Sequence, residues 1–400
     1  MPTRCALTAV VALCMCSFLS GCSQEPLDPG AVNDHSRDIN KTQSQRTNFV
    51  TQSDPVENVL PPSAARVPNR SQTVDGVLTP SVVHPDQFIA DDDVFALVAR
   101  PTELAESSSL SRLLDHFVSN ENVGMDSTHM DWVSVSGTEG ALETGHEMEN
   151  ITIAVHTLEV VSPAELLSAR FPDASLDSVT RDGVSYIRLT GVTNESLEMV
   201  KAQDGTTSAV TRVHSVPAMA LYHQDDQTFV FCAESRLETV LQAGSGHYLR
   251  SLLNSYDSEA PVMAAVSGLA RRQNSSGTAS LLMPQLATVQ RSADAVVVQF
   301  QPDTTNLLDA RVYVTSGRRV SGLFDAMRNC HDRTCERISS IAELAPPELK
   351  PIMQSLHELL IDAEFANHSD FVQLTLSSQE SFSRLCESVA DILQPRVAVR

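Results

Sequence analysis

The densest group of chemically capable side chains lies in Asn329-Cys330-His331-Asp332-Arg333-Thr334-Cys335, which holds two thiols, an imidazole and a carboxylate. Cysteine, histidine and aspartate are all zinc ligands, but a closed tetrahedral site built from this group would need a second cluster, and none stands at a matching spacing. Two other readings stand beside the metal: free thiols, or a disulfide between Cys330 and Cys335. A bridge across so short a loop would constrain the unfolded chain by only about 2 kcal/mol in the chain-entropy account. The flanking sequence reads as two helices, which puts the group on the loop between them. Among the cysteines beyond the leader, Cys232 and Cys386 complete an even set of four that would suit disulfides in an exported protein.

Elsewhere the chemistry is sparser. His357-Glu358 and His146-Glu147 each begin like a metal-binding helix, but neither has the second histidine four residues on that would place two ligands on one face. No Gly-x-Ser-x-Gly elbow presents a serine nucleophile, and no Gly-x-x-x-x-Gly-Lys loop cradles phosphate. Gly244-Ser245-Gly246-His247 is long enough only for a turn. Asp91-Asp92-Asp93 offers carboxylate oxygens to a hard cation but lacks the alternating spacing of a calcium loop, so it reads as a solvated lead-in to a strand. The histidines, including His116, His129, His156 and His223, are scattered singly and read as surface or satisfied groups. These residues assign no catalytic group, metal or cofactor. The leading expectation is a protein that is not an enzyme, with an envelope hydrolase of non-sequential active site as the alternative.

One further cysteine has a chemical role. After Arg4, residues 6–19 are almost entirely apolar or small; a run of about 14 is short of the ~20 that span a bilayer and reads as an export signal. Leu19-Ser20-Gly21-Cys22 then resembles the lipobox of bacterial lipoproteins. The resemblance implies cleavage before Cys22, lipidation of that residue and anchoring in a membrane, where two or three acyl chains hold firmly at about 0.8 kcal/mol per buried CH₂. Ser23 in place of aspartate points, by the sorting pattern of such lipoproteins, to the outer membrane of the cell envelope. The other reading is an ordinary secretory signal ending in cysteine, since this leader already carries Cys5, Cys14 and Cys16.

The elements that must carry these residues follow a simple plan. Residues 1–21 form the signal peptide, and residues 22–88, rich in Pro, Ser, Thr, Asn and Gln, read as a disordered linker. About 65 such residues reach on the order of 40 to 50 Å, enough to hold a domain well off the membrane. The net charge of −22 argues against nucleic acid and against electrostatic docking on anionic lipid. The partners expected are the membrane, through the lipid, and an unidentified protein or small-molecule ligand, captured directly or through an assembly or chaperone role.

Residues 89–255 and 256–400 read as two modules of an α+β fold, with helices packed on mainly antiparallel sheets. Val94 to Ala99 is an unbroken apolar run suited to a buried strand, and Thr102 would cap a helix through Phe117. Trp132 to Ser136 and Ile151 to Leu158 alternate as half-buried strands, and Asp182-Gly183 makes a turn before Val184 to Leu189. Ser162-x-x-Glu165 and Ser235-x-x-Glu238 have the form of helix capping boxes. Phe229-Val230 with Ser235-x-x-Glu238 recurs as Phe371-Val372 with Ser377-x-x-Glu380 at one offset, and VFALVA at 94 resembles VMAAVS at 262. WVSVS at 132 and ITIAVHT at 151 likewise resemble AVVVQF at 295 and ARVYVT at 310, so the expectation is a tandem pair of similar modules.

Overall fold

The protein is described by a computed structural model. It describes residues 73–74, 77–78 and 83–393, apart from 111–128, 143–146, 164–166, 169–170, 173, 202–206, 243–247, 257–259, 269–288, 290–291 and 315–317. The leader, the lipobox with Cys22, His116 and His146 lie outside these residues.

Twelve strands join in one fully antiparallel sheet. Apart from a short antiparallel pair at Thr73–Val74 and Val77–Leu78, inside the stretch expected to be linker, the strands in chain order are β1 (Phe95–Ala99), β2 (Met130–Gly137), β3 (Ile151–Thr157), β4 (Ser175–Arg181) and β5 (Val184–Thr190). Then come β6 (Thr193–Lys201), β7 (Thr207–Ser215), β8 (Met219–His223), β9 (Thr228–Ala233) and β10 (Val262–Ser267). The last four are β11 (Ala293–Phe300), β12 (Leu308–Val314), β13 (Glu364–Asn367) and β14 (Phe371–Leu376). Across the sheet the order is β13-β14-β12-β11-β10-β1-β2-β3-β9-β8-β5-β4, while β6 and β7 pair as a separate hairpin. The fold is α+β, as the alternation of apolar and polar residues leads one to expect.

The recurring sequence pieces occupy matching places. Counting outward from the centre, one half reads β1-β2-β3-β9-β8 and the other β10-β11-β12-β14-β13. VFALVA and VMAAVS are the two central strands, paired antiparallel with Ala96 opposite Ala265. Both are covered on both faces, which is why they are apolar without alternation. The two halves therefore share a strand order within one continuous sheet.

Six helices carry the argument: α1 (Pro101–Glu106), α2 (Leu237–Leu241), α3 (Tyr248–Leu253), α4 (Val320–Leu344), α5 (Lys350–Ile361) and α6 (Gln379–Leu393). On one face Leu323 and Met327 of α4, Leu359 of α5, and Phe382, Leu385 and Ala390 of α6 pack on Leu308, Ala310, Val312, Val372, Leu374 and Leu376. On the other face α3 places Leu249, Leu252 and Leu253 against Ala96, Val98, Met263, Ala265, Ala295 and Val297. Phe88 and α2 residues Leu237 and Val240 continue that layer over Trp132, Ala154 and Val230. The helices that follow the Phe-Val strands, α2 and α6, thus cover opposite faces, so the recurrence extends to strand order and not to the whole layer.

Three local expectations change. The folded part begins before residue 89: Pro85–Phe88 is a 3-10 turn, with Phe88 buried. The helix at Thr102 spans only Pro101–Glu106 and ends at an extended Ser107 ahead of a turn through Leu110, and no side-chain cap holds it. Cys330 and Cys335 do not sit on a loop; the chain is helical from Val320 through Leu344. Nothing between Gly322 and Pro346 breaks a helix, and local propensity carries the polar stretch.

Candidate functional site

On β12 the odd positions Asp309, Arg311 and Tyr313 share a face with Phe371, Gln373 and Thr375 of β14, because the register sets Asp309 opposite Thr375, Arg311 opposite Gln373 and Tyr313 opposite Phe371. The even positions of both strands go to the core beneath α4, α5 and α6. This sheet period divides an apolar underside from a polar and aromatic upper side. The segment after α3 then brings Tyr256 over that upper side.

The resulting contacts interlock. The Arg311 guanidinium lies 4.0 Å from the centroid of Tyr256 and 5.6 Å from that of Phe371, and its Nη1 donates to the Ser255 carbonyl at 2.9 Å. Tyr256 donates its hydroxyl to Asp309 Oδ1 at 2.6 Å, and Gln373 Nε2 donates to Asp309 Oδ2 at 2.6 Å. Burial, and then the hydrogen bond to Asp309, hold the Tyr256 phenol above its ordinary range, so it stays protonated as the donor. At the rim, exposed His368 stacks on Phe371 at 4.4 Å and meets Gln373 Oε1 through Nε2 at 2.9 Å. Tyr313 flanks Phe371 at 5.4 Å. Arg311 Nε is buried without a hydrogen-bond partner. The whole is a half-buried platform of rings around one cation, with one carboxylate, an amide and an imidazole at fixed positions. It is suited to recognition by stacking and hydrogen bonding.

Two further charged pairs lie on this face. Asp93 is buried, accepts the Ala90 N–H at 2.7 Å and pairs with Arg236 Nη2 at 2.7 Å. Burial raises its pKa against the opposing pull of Ser136 and Arg236. Only Asp91 and Asp92 remain exposed, so the expected solvated run holds for two of its three residues. Nearby, Glu234 accepts from Tyr186 at 2.6 Å and from Arg188 Nη2 at 2.6 Å, and the Arg188 contact holds its carboxyl below the usual range. Glu234 opens a 3-10 turn ahead of α2, and no side-chain cap from Ser235 forms there. Cys232, buried beside this cluster, is pushed up to about 12 by desolvation.

Cys330 and Cys335 are free thiols, as are Cys232 and Cys386. On a helix, residues five apart lie about 140° around the axis and about 7.5 Å along it, too far for the Cα separation a disulfide accepts. The loop disulfide is therefore replaced by a different contact. His331 Nε2 donates to the Leu360 carbonyl at 2.8 Å, lies 3.5 Å from Cys335 Sγ, and its Nδ1 meets Asp332 at 3.2 Å. Cys335, then Leu360 and Asp332, favour the imidazolium and push His331 up to about 9. A cation is thereby seated on the last turn of α5, at the negative end of the helix dipole, where it shares the Leu360 carbonyl with the Ala363 N–H. Among the described residues no group of three or more His, Cys, Asp or Glu side chains is placed to hold a metal. His357 instead lines an open groove of about 310 Å³ between α4 and α5, with Ser339, Ala342, Glu343, Lys350 and Gln354. Glu358 pairs with Arg384 of α6 at 2.8 Å.

Sequence reasoning did not find the platform, because its members are spread from residue 256 to residue 373. The one available signal was the odd-position series Asp309-x-Arg311-x-Tyr313, polar and aromatic where the even series is apolar.

No family model and no curated protein matches this chain. A solved structure titled "Structure of crystal form I of TP0453" aligns over 78% of this chain and 98% of that chain, at 9% identity and a TM-score of 0.37.

Proposed function

We propose that this is a lipid-anchored protein of the bacterial cell envelope, held through Cys22 in the outer membrane, that binds a partner through its sheet and is not an enzyme. The observation that supports the binding role is the Arg311 platform. Rings and a guanidinium are held half-buried on a strand face where a sheet packed only for stability would place aliphatic side chains or freely solvated ones. The partner is a protein or a smaller ligand that presents a planar or anionic group to the rings and the cation. The tether rests on Leu19-Ser20-Gly21-Cys22 and places the folded part at the end of a long polar segment.

Two experiments test the reading. Mass spectrometry of the mature N-terminus should find acyl chains on Cys22, and Cys22→Ala should move the protein out of the membrane fraction; a variant that stays with membranes refutes the anchor. For the binding role, a photo-crosslinking residue at Thr375, beside the platform, should capture a defined partner in cells. Arg311→Gln should abolish that adduct while the variant still unfolds in a single cooperative transition. An adduct indifferent to Arg311→Gln removes the platform from the account.

A further inference from the structure

The main sheet ends at β4 on one side, and the turn after it fixes which backbone groups face outward. Asp182 and Gly183 both have positive φ, 52° and 81°, and the register sets Arg181 opposite Val184, so a two-residue type I′ turn closes the hairpin. In such a hairpin the residues flanking the turn exchange both hydrogen bonds, and the pattern alternates from there. Arg181, Val179 and Asp177 therefore direct their N–H and C=O groups toward β5. Thr180, Ser178 and Leu176 direct theirs to the open edge. Asp177, Ser178, Thr180 and Arg181 are exposed.

We propose that this edge is the interface for a second copy of the same chain, with the two β4 strands paired antiparallel about a two-fold axis at Val179. This goes beyond the proposed function and does not depend on it. The register follows by elimination. Outward-facing groups meet only when even residues oppose even residues, so a two-fold axis must pass at a residue of β4 and not between two. At Asp177 it would set two aspartates against each other. At Ser178 it would set Asp177 against Val179 and Arg181 against Ser175. At Thr180 it would set Arg181 against Val179.

At Val179 each Asp177 stands opposite Arg181 of the second copy, Val179 meets Val179, and Ser178 with Thr180 exchanges backbone hydrogen bonds on both sides of the axis. The charged pairs fall at the non-hydrogen-bonded positions, where opposed side chains come closest. Charges on an edge strand ordinarily deter pairing with other strands. Here the same two charges are complementary to themselves and to little else. The contact between Arg181 and Asp182, at 3.7 Å, is fully solvated on both sides and does not compete strongly. Arg188 stands opposite Asp177 on β5, but its guanidinium is held by Glu234 through Nε and Nη2. Such an interface is isologous and closes at two copies.

The test uses the full chain. Sedimentation over a range of concentrations should show a monomer–dimer equilibrium. Asp177→Arg should weaken it by about tenfold or more, since both ionic pairs become like-charge pairs. Combining Asp177→Arg with Arg181→Asp should restore it. Val179→Cys should give a disulfide-linked dimer under mild oxidation, because opposed Cα atoms at non-hydrogen-bonded positions lie within bridging distance. Ser178→Cys, displaced from its own copy, should cross-link no faster than the unsubstituted chain. A protein that is monomeric at all soluble concentrations, a dimer untouched by Asp177→Arg, or equal cross-linking of the two cysteine variants overturns the proposal.

Discussion

Replacing Asp93 by alanine should cost about 3 kcal/mol of stability, the low end of the 3 to 5 kcal/mol typical when one member of a buried ion pair is removed. The Asp93 side chain is fully buried and that of Arg236 is 10% exposed, so the truncation strands a guanidinium in a poorly solvated place. It also leaves the Ala90 N–H without its acceptor. The low end applies because Asp92 Oδ1 already lies 3.6 Å from the same guanidinium and is 55% exposed, which lets it swing in as a partial substitute. Urea unfolding followed by fluorescence is a direct assay, since Trp132 is the single tryptophan and lies buried against Phe88 in the layer that covers this part of the sheet. With a denaturant slope on the order of 3 kcal/mol per molar, the midpoint should fall by about 1 M. Arg236→Met should cost a similar amount, and the double variant Asp93→Ala with Arg236→Met clearly less than the two together, because no charge is then left unpaired. A midpoint shift below about 0.3 M for Asp93→Ala, or strict additivity in the double variant, would refute the pairing. Acid is not a substitute for the mutation. The folded pKa of Asp93 stands above its ordinary 3.8 because burial outweighs the pull of Ser136 and Arg236, so the pH-linked part of the stability is complete below 3.8 and falls as pH rises through the folded value, whereas the cost of the mutation comes from the guanidinium left without its partner.

Other consequences follow from the same structure. His331, with a folded pKa of about 9 against an ordinary 6.5, contributes stability that is complete below pH 6.5 and lost as pH rises through 9; His331→Gln should flatten the pH dependence of the unfolding midpoint across that window. Phe88→Ala, or truncation to residue 89, should cost about 3 to 5 kcal/mol and lower the Trp132 transition accordingly, since a buried aromatic side chain is removed. The Cys232 thiol, pushed up to about 12 by burial, should resist alkylation at neutral pH in the folded protein and react only after denaturation, as read by peptide mass spectrometry.

The architecture was legible where side-chain alternation set it. β2 and β3 fall where the alternation of Trp132 to Ser136 and Ile151 to Leu158 places them, and β5 follows the Asp182-Gly183 turn. The unbroken apolar character of VFALVA and VMAAVS marked the two strands that are covered on both faces. The interactions that tie the elements together were not legible. Asp93 and Arg236 are separated by 143 positions, and nothing in either neighbourhood names the other. The Cys330 group was misplaced for a local reason. A cluster of Asn, His, Asp, Arg and Thr reads as a loop by composition, whereas a stretch without Gly or Pro simply continues the helix, with His331 turned toward α5. The platform escaped because its meaning depends on which face of β12 the helices leave to polar groups, and that is decided by tertiary packing.

The pairing of β1 with β10 has a practical consequence. A strand from near the start of the described chain and one from its middle meet by backbone hydrogen bonds at the centre of the sheet, with Phe95 opposite Val266 and Ala99 opposite Val262. If the chain were cut near residue 256, each fragment would be left with an apolar strand bare along one side, insoluble alone and complementary in shape to the other. Co-expressed, the two should reassemble along that seam, giving a split reporter whose reconstitution reads out the proximity of partners fused to the fragments.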